Sequence, residues 1–250
     1  MEQTKVPIYS SERIDDLLNQ NLKIIQSEEV FSFSVDAVLL SRFCSVPVRG
    51  RIVDLCSGNG VIPLLLSVRS KAHITGVEIQ ERLVEMARRN VRLNRLEERI
   101  EIVHEDLKQY HLQSGYGQFD LVTVNPPYLP PGSGDRNMNE HVAIARHEIK
   151  CTLEDVIAAC GRLAKSGGKV AIVHRPSRLA DICTYMRKYK MEPKRIRLVH
   201  PKKEAEANMV LIEAIRDGKP DLRVLPPLIV YNDQQQYCDE LMEIYYGNKG

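Results

Sequence analysis

From residue 50 onward the chain alternates short apolar runs with amphipathic helical patterns, and that rhythm narrows its fold more than any other feature. "RIVDLC" (51–56) reads as a strand, and "VIPLLLSVRS" (61–70) as a helix that tolerates Pro63 in its first turn. "HITGVEI", "RIEIVHE", "QFDLVTV" and "GKVAIVH" repeat the strand signal. Between them, "QERLVEMARRNVRLN" puts Leu83, Ala87 and Val91 on one helical stripe, with Arg88, Arg89 and Arg92 expected to face out. "TLEDVIAACGRLAKS" gathers Leu153, Val156, Ile157, Cys160, Leu163 and Ala164 on one side. Its Thr152 and Asp155 resemble a capping box, and Gly167-Gly168 is the expected stop. "PSRLADICTYMRKYK" is a further helix, and "PKRIRLVH" and "ANMVLIEAI" form a late strand pair joined by a short polar loop. Strand–helix alternation requires crossover connections. The expected class is therefore α/β, a mostly parallel seven-stranded sheet with helices on both faces.

Ligands of such sheets bind beyond the carboxyl ends of the strands. "DLCSGNG" and "NPPY" both fall there. Gly58 and Gly60 stand at a strand-to-helix turn, which by itself is weak evidence because tight turns need glycine anyway. Glu78 ends the next strand about twenty residues on, where an acid accepts hydrogen bonds from ribose hydroxyls. Asp106 follows the third strand, placed to meet an adenine amine or a neighbouring backbone group. A dinucleotide dehydrogenase would carry a third glycine where this chain has Pro63. Asp54 is an awkward anion beside a pyrophosphate but suits a ligand bearing a sulfonium and an ammonium. That pattern favours S-adenosyl-L-methionine.

Asp54-x-x-x-Gly58-x-Gly60, Glu78, Asp106 and Asn125-Pro126-Pro127-Tyr128 together resemble the class I S-adenosylmethionine-dependent methyltransferases, whose fold is Rossmann-like. More narrowly they resemble the amino-methylating branch with an NPPY motif. The resemblance covers about residues 30–215 and implies a cofactor site of Asp54, Cys56, Gly58, Gly60, Glu78, Ile79, Asp106, Leu107 and Asn125. It also implies catalytic roles for Asn125, Pro126 and Tyr128. An adenine exocyclic amine is a poor nucleophile, and its nitrogen becomes positive as the methyl arrives. The Asn125 side-chain carbonyl and the Pro126 backbone carbonyl are the two acceptors that stabilise this charge, with Pro126 and Pro127 stiffening the loop. Tyr128 is a flat platform for a flipped-out base. No metal is required.

The flanks "ERIDDLL…LKIIQSEEVFSFSVDAVLL", "ARHEIKCTLEDV" and "VHPKKEAEANMVLIEAI" resemble the bacterial tRNA(Val) adenine-N6-methyltransferases. The implied activity is N6-methylation of the adenine 3′ of the anticodon. An rRNA base N-methyltransferase and a protein glutamine N5-methyltransferase remain alternatives, and a non-catalytic RNA-binding module is the rival of a different class. The expected organisation is an N-terminal lid segment over 1–48, with "LKIIQ" and "FSFS" as a small hairpin and Ser34 capping a helix. A methyltransferase core follows over 49–216, and a C-terminal tail over 217–250 packs on it.

A tRNA substrate gives the stretch Arg187 to Lys203 a task, since it carries eight Lys/Arg against one Glu. Lys194, Arg195, Arg197, Lys202 and Lys203 are candidate phosphate contacts. Pro127, Tyr128 and His147 are candidate substrate contacts, the histidine as a positional group rather than a base. The "GSGDRN" stretch from Gly132 reads as a substrate loop. A hydrophobic content of 43% with 27% charged residues is ordinary for a soluble domain, and net charge +2 does not by itself announce nucleic acid. No apolar run reaches the roughly 20 residues of a membrane span. The first twenty residues lack a signal-peptide core, which implies a cytoplasmic protein, a monomer or weak dimer. The six cysteines lie far apart without metal-ligand spacing, so neither a metal site nor a disulfide is expected.

Overall fold

Runs such as Ile52–Leu55 and Leu121–Val124 are apolar at nearly every position, the pattern of strands covered on both faces. The computed structural model describes residues 6–18, 21–27, 35–128 and 151–246. In chain order the elements are β1 (Glu12–Leu17), β2 (Leu22–Ser27), α1 (Val35–Phe43), β3 (Arg51–Leu55), α2 (Val61–Arg69), β4 (His73–Glu78), α3 (Glu81–Leu93), β5 (Ile100–His104), α4 (Tyr110–Ser114) and β6 (Phe119–Val124). There follow α5 (Leu153–Leu163), β7 (Ala164–His174), α6 (Leu179–Lys188), β8 (Met191–His200), β9 (Met209–Arg216), β10 (Arg223–Val224), β11 (Leu228–Ile229) and α7 (Asp239–Tyr246).

The main sheet has the order β10-β8-β9-β7-β6-β3-β4-β5, with β11 also paired to β8. Its strands run parallel except β9, which is antiparallel to both β7 and β8. The sheet thus has nine strands among the described residues, not seven. The additional two, β10 and β11, come from the C-terminal stretch and are two residues long, too short to show a period in sequence. That stretch also buries Leu228, Val230 and Leu241. Arg197 forks onto Glu240 of α7 at 2.6 and 2.7 Å.

Strand alternation divides the core in two. Ile52, Ile74, Leu121, Ala171 and Leu211 face one side, under α1, α2, α3 and α7. Val53, Val77, Val122, Val170 and Ile212 face the other, under α4, α5 and α6. The capping box of α5 is present, with the Thr152 side chain accepting the Asp155 N–H. The helix ends at Leu163, a turn before the glycines. Gly168 instead serves the strand, because a Cβ there would lie 2.9 Å from the Phe119 carbonyl oxygen, where β6 and β7 slip register.

The strand over 22–27 pairs with β1, while "FSFS" and Ser34 lie outside the described residues. The free edge of β2 is capped by α3. Asn94 accepts the Lys23 N–H at 2.8 Å and donates to the Lys23 carbonyl at 2.7 Å, and Asn90 accepts the Ile25 N–H at 2.6 Å. Residues i and i+4 of a helix are spaced about 6 Å along its axis, close to the two-residue repeat of a strand. Two asparagines on a helix therefore imitate a neighbouring strand. Arg89, expected to face solvent, is 1% exposed. Its guanidinium grips Glu12 at 2.6 and 2.7 Å and the Pro7 carbonyl at 2.8 Å, pairs with Glu85, and lies 4.6 Å over the Tyr9 ring. The β1–β2 hairpin covers that side of α3, a long-range event that helical periodicity cannot report.

The Arg89 and Glu12 side chains are 1% and 2% exposed. Removing one partner strands the other, so Arg89→Met is expected to lose about 3–5 kcal/mol in urea unfolding. Glu12→Leu combined with Arg89→Met should recover most of that loss.

Candidate active site at the carboxyl ends of the strands

After β3 the chain turns through Cys56, Ser57, Gly58, Asn59 and Gly60 into α2. Gly60 sits at φ +84°, and a Cβ there would meet the Ala87 Cβ at 3.3 Å, so glycine lets α3 lie against the loop. Glu78, at the end of β4, is buried and ties the loop down. One carboxylate oxygen accepts the Gly58 N–H at 2.9 Å, and the other accepts those of Ile79 and Gln80 at 3.0 Å each. Burial raises the Glu78 pKa while the backbone donors from Gln80, Gly58 and Ile79 pull against it. After β5, Asp106 accepts the Lys108 N–H at 2.9 Å.

These turns and the end of β6 enclose a cleft with about 880 Å³ of unfilled space, counting its open mouth. Cys56, Gly58, Glu78, Ile79, Asp106, Leu107, Asn125 and Pro127 line it, as do Ala37, Leu83, Glu105 and Cys151. Three of the lining side chains are carboxylates, and among the described lining residues none is Lys, Arg or His. Apolar walls of Val77, Ile79, Leu83 and Leu107 stand beside them. A hydrogen bond to Cys151, together with desolvation, raises the pKa of the half-buried Cys56 thiol well above its usual range.

Asp54 and Gly60 do not line the cleft. Asp54 is fully buried, and one of its oxygens accepts the Thr123 hydroxyl at 2.7 Å, joining β3 to the strand that carries Asn125. Its other oxygen and the Ser57 hydroxyl are also buried, and Ser57 lies near enough to pull the Asp54 pKa down against burial. Pro126 is buried next to the cleft. Tyr128 is half-buried and held on several sides. Its hydroxyl donates to Asp36 of α1 at 2.8 Å, His174 meets its ring at 5.8 Å and 64°, and the Arg175 guanidinium lies 4.6 Å from the ring centre.

Of the basic candidates, Lys202 and Lys203 are exposed in the loop after β8, at the same end of the sheet as the cleft. Lys194 lies toward the opposite end and donates to the Lys219 carbonyl at 3.0 Å. Arg195 pairs with Glu213 and Arg197 with Glu240, so the structure turns both inward. His147 and the stretch from Gly132 lie outside the described residues. His174 and Arg175 are site residues that the motifs do not mark, although they stand at the end of a strand signal, where the strand-end rule reaches them. Asp36 and Cys151 carry no such mark. Among the described residues, no group of three His, Cys, Asp or Glu side chains could hold a metal ion, and no helix is long and apolar enough to cross a membrane.

Residues 21–181 match the family model of the methyltransferase small domain, and the chain belongs to that family. It is 33% identical over 148 residues to the tRNA1(Val) (adenine(37)-N6)-methyltransferase of Aeromonas hydrophila, covering 58% of this chain and 60% of that protein. It is 30% identical over 185 residues to the protein of the same name from Porphyromonas gingivalis, covering 71% and 72%. The chain thus spans about three fifths of the length of the first of these relatives. In fold it resembles a predicted O-methyltransferase from Agrobacterium tumefaciens, with TM-score 0.68 and 24% identity over 85% of this chain and 96% of that one.

Burial pushes the Asp54 pKa up to about 7, from 3.8 for a free side chain. The folded chain then holds that proton more tightly than the unfolded chain. The resulting stabilisation is present below about pH 4 and is lost as pH rises to about 7. Thermal melts of the protein without ligand should show this decline, and Asp54→Asn should flatten it.

Proposed function

We propose that this chain is an S-adenosylmethionine-dependent N-methyltransferase acting on N6 of a flipped-out adenine in tRNA, the adenine 3′ of the anticodon in a valine tRNA being favoured. The observation that carries the reading is the single cleft that joins three carboxylates and no described basic side chain to Asn125 and Pro127. An acid-lined cleft attracts a sulfonium and an ammonium and repels a pyrophosphate. The names of the Aeromonas and Porphyromonas relatives support the tRNA adenine as substrate.

Bound S-adenosylmethionine would supply an electrophilic methyl group. A carboxylate offers about four acceptor sites, and three backbone N–H groups already occupy Glu78, so it has about one left for a ribose hydroxyl. Asp106 would receive the adenine amine of the cofactor, with the apolar walls at Ile79 and Leu107 beside it. Asn125 Oδ1 and the Pro126 carbonyl accept the two N–H bonds of the target amine. With the cofactor bound, Asn125 and Pro126 would hold the amine lone pair toward the methyl group, and the methylated nitrogen would release its extra proton to water. Acceptors aimed at the positive nitrogen act most strongly when that charge is fully developed, which makes them catalytic rather than merely adhesive. The buried Asp54–Thr123 bond fixes the strand end from which Asn125 projects. Lys202 and Lys203 take the RNA phosphates, while Lys194 and Arg197 keep their internal contacts.

Asn125→Ala is expected to lower kcat on tRNA transcripts by about 10²–10³. Calorimetric affinity for S-adenosylmethionine should stay within about threefold. Parallel loss of cofactor affinity would remove Asn125 from the acceptor role.

A further inference from the structure

Arg175 differs from several of the cations near the late strands. Arg187, Lys188, Arg195 and Arg197 each pair with a carboxylate. Arg175 has no carboxylate partner among the described residues. Its guanidinium is spent on the Tyr128 ring and on one backbone carbonyl, that of Asn208, at 3.0 Å. Asn208 closes the loop that carries Lys202 and Lys203, so Arg175 bridges the aromatic platform and the exposed basic loop.

The ring of Tyr128 is already fixed in the absence of substrate. Its hydroxyl is held by Asp36, and acceptance of that proton by a carboxylate enriches the ring in electron density. His174 is 1% exposed and packs against the ring from inside the protein. It accepts the Arg175 N–H at Nδ1, and burial pushes its pKa down to about 4, so it stays neutral and adds no competing charge. Arg175 is half-buried, and its guanidinium lies over the ring, 4.6 Å from its centre. A guanidinium is flat, cationic and weakly hydrated, and it stacks on aromatic faces. A purine whose amine is becoming an ammonium is also flat and cationic.

We propose that the face of Tyr128 covered by Arg175 is the seat of the target base, and that Arg175 vacates it on RNA binding to contact a backbone phosphate. This rests on the reading of the site as an RNA adenine methyltransferase. Exchanging one planar cation for another keeps the ring face covered in both states, so the platform is never left bare to water. The displaced guanidinium gains a phosphate, with which it forms a stronger, bidentate contact than with a single carbonyl. Arg175 is therefore a positioning residue for the substrate and does not touch the cofactor.

The test is the salt dependence of tRNA binding by the full chain, measured for wild type, Arg175→Ala, Arg175→Gln and Arg175→Lys. The alanine and glutamine variants should bind tRNA about tenfold more weakly at low salt. Their plots of log affinity against log salt should be shallower by about one unit. Arg175→Lys should restore the slope, because it keeps the charge. At saturating tRNA the kcat of all three should stay within about twofold, so the effect appears in KM. Melting temperature and S-adenosylmethionine affinity should match wild type. A wild-type slope in Arg175→Ala overturns the proposal, as does a loss of cofactor affinity or melting temperature that accounts for the weaker binding. If wild type binds tRNA but methylates no RNA, the enzymatic reading fails while the slopes still decide whether Arg175 meets a phosphate. If wild type binds no RNA, both fail.

Discussion

The cleft depends on one buried carboxylate. Glu78 closes β4, and its two oxygens take the N–H groups of Gly58, Ile79 and Gln80. Those three donors belong to two different turns, one leading into α2 and one into α3. A buried N–H without an acceptor costs about 1–3 kcal/mol, so a single side chain satisfies donors that both turns would otherwise leave exposed to an apolar wall. It also sets the distance between the turns, and hence the width of the space between them.

Around that anchor, α3 links the parts. Asn90 accepts from Ile25 of the hairpin and donates to the Asn59 carbonyl of the glycine turn at 2.9 Å, so one side chain belongs to both. Arg89, beside it, clamps the segment from Pro7 to Glu12. On the other flank, Asp36 joins α1 to Tyr128, and Asp54 joins β3 to β6 through Thr123. Tyr128 and the strand end that carries Asn125 are thus braced by side chains of α1 and β3. Most of these braces are hydrogen bonds to charged or amide groups, which are directional, and direction is what a methyl-transfer geometry needs.

Local chemistry makes much of this legible in the order of the residues. The strand runs from 51 to 124, the helix with Pro63 in its first turn, the capping box at Thr152 and the antiparallel pair at the end all arise from side-chain periodicity, φ restriction and cap hydrogen bonds. Glu78, Asp106 and Asn125 converge on one cleft because the strand-end rule depends only on the direction of the strands. The points of departure share a cause. Periodicity alone places Arg89 in solvent and leaves Lys194 and Arg197 free for phosphates. Each outcome turns instead on a group distant in sequence: the hairpin on α3, Lys219 and Glu240 on the two cations.

What the chain's order of residues determined by itself was the α/β architecture and the chemical character of the site. Both follow from short-range patterns that survive without knowledge of neighbours. The tertiary structure alone decided which charges are spent internally and which face the substrate. It buried Asp54, folded the tail into two further strands, and set Asp36, His174 and Arg175 around Tyr128. Charge has no period along a chain. A carboxylate or guanidinium is committed only when folding brings its partner within hydrogen-bond distance, and that meeting is written in contacts rather than in sequence.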